Sequence, residues 1–62
     1  MRLTVICGLD HTEPENRRHE AARLLNELAE QIRTSDEVKV GDVRIMNAPN
    51  GTRVGVSDIF EH

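Results

Sequence analysis

The sequence predicts an α+β fold, β-α-β-β, with one long helix packed on one face of a small mixed sheet. Three observations predict it. Ala21, Leu24, Leu25, Leu28 and Ile32 recur at i, i+3, i+4, i+7 and i+11, the apolar stripe of one amphipathic helix. Short runs rich in β-branched residues stand before and after that helix. At 62 residues, the chain has room for a single domain, residues 1–62, and one small core.

The first strand is Arg2-Leu3-Thr4-Val5-Ile6-Cys7-Gly8. Leu3, Val5 and Cys7 share one face and Thr4 and Ile6 the other, so apolar residues on both faces predict a central strand. Gly8 ends it. Thr12-Glu13-Pro14-Glu15 then has the form of a capping box, Thr12 and Glu15 each satisfying the other's amide. Pro14 suits a first helical turn, where a missing N–H costs little. The helix is predicted from Thr12 to about Thr34. Its polar side carries His19, Arg23, Asn26, Glu27 and Glu30, with ion pairs Glu20–Arg23, Arg23–Glu27 and Glu30–Arg33 at helical spacing.

Beyond the helix, Val38 and Val40 have one parity and Val43 and Ile45 the other, with Gly41-Asp42 between them. Either Gly41-Asp42 is a tight hairpin turn, or it is a bulge within one strand over 37–46; the bulge is the preferred reading. Ala48-Pro49-Asn50-Gly51 predicts a turn that pairs Val43 and Ile45 with Val54 and Val56 as a C-terminal β-hairpin. Ile59 and Phe60, in the tail 57–62, are expected to pack on a neighbouring copy. One helix covers one sheet face, so the open face is expected to be covered by oligomerisation.

Composition excludes several classes. Cys7 is the single cysteine, which rules out an intrachain disulfide and a cysteine-based zinc site. Eleven acidic and eight basic residues give a net charge of −3, and Phe60 is the one aromatic residue. A basic face and stacking platforms for nucleic acid are both missing, so nucleic acid is not an expected partner. No signal-peptide or membrane-span pattern is present, which predicts a cytoplasmic protein, in the host cytoplasm if the gene is viral.

Candidate sites are few. The loop Cys7-Gly8-Leu9-Asp10-His11 lies between a strand and a helix, a common address for ligands. It is a poor phosphate cradle, with one glycine, no lysine and nearby Asp10, Glu13 and Glu15. Cys7 is expected to be a buried, inert small hydrophobe, and His11 a solvent-exposed loop histidine. No catalytic set, cofactor or metal site is predicted. Arg2, Arg44 and Arg53, with His11, are the candidate ligand-binding residues, since guanidinium forks suit carboxylates at a subunit boundary. His62 is terminal and has no assigned role.

This layout resembles the short-chain tautomerases of the oxalocrotonate-tautomerase type, through element order, Val43-Arg44-Ile45 and Gly51-Thr52-Arg53-Val54-Gly55-Val56. The resemblance implies a hexamer built by sheets joining across subunits, and Arg44 as a substrate-binding arginine. The family's catalytic amino-terminal proline is absent: Arg2 follows Met1. Ferredoxin-like and dodecin-like small α+β assemblies fit the same periodicity.

The function expected from the sequence is therefore a small non-enzymatic oligomeric module that binds and modulates another protein. A phage or mobile-element accessory protein of anti-defence type has this size and acidity. The alternatives are a small-molecule carboxylate binder at subunit interfaces, or a tautomerase-like enzyme with an altered active site.

Overall fold

A computed structural model describes residues 1–61; His62 lies outside the described residues. Strand β1 spans Arg2–Cys7, helix α1 Arg17–Arg33, β2 Val43–Asn47 and β3 Arg53–Phe60. A single 3-10 turn, Pro14–Asn16, leads into α1. The sheet order is β1-β3-β2 and both pairings are antiparallel, so the sheet is not mixed.

The central strand is β3, not β1. Its pattern is masked in the sequence by Gly55, Ser57 and Asp58, yet Ser57 and Ile59 are buried on the helix side of the sheet. Gly55 and Ser57 are its small helix-side residues, and Gly55 lets β1 approach closely. Gly55 lies opposite Cys7, where an added Cβ would sit 2.6 Å from the Cys7 Cβ and 2.9 Å from the Ile6 carbonyl oxygen. The tail is likewise part of the fold: Ile59 is buried within its own chain, whereas Phe60 is exposed.

The core is Leu24, Leu28 and Met46, flanked by Val5, Cys7, Leu9, Ile32 and Val54. Cys7 is half-buried rather than enclosed, because β1 is an edge. The helix stripe is as the sequence predicts, except that Leu25 overhangs the core and is exposed.

Two local expectations fail for identifiable reasons. The capping box does not form: neither Glu13 nor Asn16, the two N-cap residues, makes a side-chain cap bond. The Thr12 amide already donates to the Leu9 carbonyl at 3.1 Å, leaving Glu15 nothing to cap. Gly41-Asp42 is neither hairpin turn nor bulge. Residues 39–42 form a β-turn closed by Asp42 N–H to the Lys39 carbonyl at 3.1 Å, with Gly41 at φ 96°. The Asp42 carboxylate accepts from the Lys39 amide, so Val38 and Val40 are held in an exposed loop before β2. A bulge does occur, but between Met46 and Asn47, where Val54 is the extra residue of β3. The turn at Ala48–Gly51 forms as predicted, with Gly51 at φ 90° donating to the Ala48 carbonyl.

Candidate functional site

Two features stand out above the core: a charged clasp at the start of the helix and the open face of the sheet. The clasp centres on Glu20, which lies one helical turn before Leu24 and therefore on the apolar stripe. Its side chain is 8% exposed. Arg23 grips it with a fork, Nε to Oε1 at 2.7 Å and Nη2 to Oε2 at 2.8 Å. His11 Nε2 donates to Oε2 at 2.6 Å from the loop after β1. Those bonds to Arg23 and His11 hold the Glu20 carboxyl down at about 2. Arg23 also meets Glu27 and donates to the Asn47 carbonyl at 2.8 Å. Its own pKa is raised, chiefly by the bond to Glu20. The predicted pairs Glu20–Arg23, Arg23–Glu27 and Glu30–Arg33 are all present.

Chemically the clasp is closed. Both Glu20 oxygens are occupied, and among the described residues no hydroxyl or thiol bonds the other ring nitrogen of His11. Its evident work is to tie the 8–13 loop, the helix and the end of β2 together. Among the described residues no group of three or more His, Cys, Asp or Glu side chains is placed to hold a metal ion. Among the described residues no helix is long and apolar enough to cross a membrane.

The open face follows from strand alternation. Leu3, Val5, Cys7, Arg44, Met46, Gly55, Ser57 and Ile59 take the helix side. The other side presents Arg2 opposite Phe60, Thr4 and Val43 flanking Asp58, and Ile6 and Ile45 flanking Val56. Ile6, Val43, Ile45 and Phe60 are all exposed there. Shallow hollows mark its two ends, one bordered by Arg2, Thr4, Phe60 and Glu61, the other by Ile6, Arg53 and Val56.

The four candidate ligand-binding residues do not meet within one chain. Arg2 and Arg53 stand at opposite ends of the open face, about 24 Å apart along β3 at about 3.4 Å per residue. Arg44 is on the helix side, 14% exposed, with Asp42 at 3.6 Å. His11 belongs to the clasp.

No family model, curated protein or solved structure matches this chain. The small α+β fold of one helix and three strands is present, but no match supports a tautomerase assignment. The clasp was the feature least visible in sequence. Its signal was Glu20 at i−4 from Leu24 and i−8 from Leu28, a carboxylate on the apolar stripe.

Proposed function

We propose that this chain is a non-enzymatic interaction module that works as an oligomer and binds another protein through its open sheet face. The observation that carries the reading is the apolar set Ile6, Val43, Ile45 and Phe60, exposed on one side of a sheet whose other side is covered. The charge layout specifies the partner's chemistry. Asp58 lies in the middle of the face, while Arg2 and Arg53 stand at its ends. The complementary surface is apolar, with a basic residue near its centre and carboxylates at its rim. A host protein modulated by a phage or mobile-element accessory is the setting that this size and acidity suit.

The test is capture on immobilised protein, comparing the unaltered chain with Val43→Lys on the open face and His19→Ala on the outer helix surface. Val43 is 57% exposed, so lysine there leaves the core intact. One stoichiometric protein retained by the unaltered chain and His19→Ala, and lost with Val43→Lys, supports the reading. Equal retention by all three, or no specific protein from any candidate host, ends it.

One observation favours a second reading, a small carboxylate ligand. Arg44 is largely enclosed, and its carboxylate neighbour at 3.6 Å is beyond hydrogen-bond distance, which leaves guanidinium donors for an anion. Thermal stabilisation by a panel of 2-oxo acids, lost in Arg44→Ala, would replace the first reading with this one. Proton exchange into those acids above the buffer rate would make the chain an enzyme of tautomerase type.

A further inference from the structure

We infer that β1 pairs with β1 of a second copy across a two-fold axis, making one six-stranded antiparallel sheet from two sheets of three strands. This rests on the reading of the chain as an oligomer and assigns the interface within it.

The two edges of the sheet are treated differently. Gly8 N–H donates to the Val54 carbonyl at 2.8 Å, extending the β1–β3 pairing by one residue. Alternation then turns the backbone of Thr4 and Ile6 toward β3, and that of Leu3, Val5 and Cys7 outward. Among the described residues, no hydrogen bond reaches those three outward N–H and C=O pairs. On β2 two of the three outward carbonyls are taken: Gln31 donates to Ile45 and Arg23 to Asn47. The helix guards one edge and leaves the other bare.

Side chains follow the same division. The helix flank above β2 is polar, with Arg23, Glu27 and Gln31 at i, i+4 and i+8. The opposite flank, turned away from β2, carries Leu25, which is 52% exposed. On β1, Leu3 is 48% exposed on the helix side and Ile6 is 67% exposed on the open side. Arg2–Cys7 contains no proline, lysine or bulge, the usual devices that blunt an edge strand.

The occupant is a second copy because the edge is self-complementary. A two-fold at Val5 sets Val5 against Val5, Leu3 against Cys7 and Thr4 against Ile6, so every outward N–H meets an outward carbonyl. The same register sets Arg2 of one copy beside Gly8 of the other, two residues from the exposed Asp10, a cation next to a carboxylate. Leu25 and Leu3 of the two copies close over the seam on the helix side.

Amide hydrogen exchange and thiol cross-linking read this register directly. In the unaltered protein the amides of Leu3, Val5 and Cys7 are protected as strongly as those of Thr4 and Ile6, while the outward Ile45 amide exchanges quickly. Leu3→Cys forms a disulfide with Cys7 of the second copy under mild oxidation, giving a species of twice 7.0 kDa on a non-reducing gel. Cα atoms of such a pair stand about 5.5 Å apart, within disulfide reach. Thr4→Cys, with its side chain on the other sheet face, stays uncross-linked. Sedimentation separates the two levels. An oligomer with unprotected Leu3, Val5 and Cys7 amides and no Leu3→Cys cross-link overturns the β1 interface and leaves the oligomer reading standing. A monomer overturns both.

Discussion

The Gln31 side chain donates to the Ile45 carbonyl at 3.0 Å, closing with a helix residue an edge of the sheet that would otherwise face solvent. Arg23 repeats the arrangement two turns earlier at Asn47. Both residues stand on one flank of α1, so the placement of the helix decides which edge is closed.

Replacing Gln31 with alanine removes that bond and leaves the Ile45 carbonyl uncovered. We expect a loss of about 1 kcal/mol, as for a typical hydrogen bond. The variant should also gain a second mode of association through β2, seen by light scattering as species larger than those of the unaltered protein.

Gly55→Ala probes the closeness of β1 and β3. The added methyl meets the Cys7 Cβ and the Ile6 carbonyl oxygen at 2.6 and 2.9 Å, and one of these is backbone. Overpacking of this kind costs about 1–3 kcal/mol. In a domain this small, each kcal/mol lowers Tm by about 4–8 °C, which thermal melting followed by circular dichroism will measure. A variant as stable as the parent would show that the strands have room to separate.

Acid should weaken the clasp. The Glu20 carboxyl is held at about 2 against an ordinary value of 4.5, by its bonds to Arg23 and His11. A depressed folded value stabilises the fold fully above the unfolded pKa and is lost as pH falls through the folded one. The contribution is therefore complete above about pH 4.5 and disappears toward pH 2. Glu20→Gln should melt below the parent at pH 7, and the gap should narrow steadily across that window.

The sequence made the helix legible because its apolar stripe is long and unbroken from Ala21 to Ile32, and the loop 48–51 legible because Asn50-Gly51 tolerates positive φ. It misled where one residue served two roles. Val38 and Val40 look like strand residues, but Asp42 captures the Lys39 amide and Gly41 turns the chain before they can pair. β1 looks central because it is apolar on both faces, yet it is an edge whose Leu3 and Ile6 remain uncovered in a single chain. β3 is harder to read as central, because Gly55, Ser57 and Asp58 interrupt its apolar pattern. Of the candidate site residues, the arginines were visible by type. Their dispersal was not, since strand pairing sets which face each one takes.

Sedimentation equilibrium of the purified, unaltered chain over a wide concentration range tests the central claim most directly. The expected result is a reversible dimer, or a multiple of dimers, at the upper concentrations, with twice the 7.0 kDa chain mass as the repeating unit. A species that stays at the mass of one chain throughout would contradict it, and would mean that the bare β1 edge is stable in water.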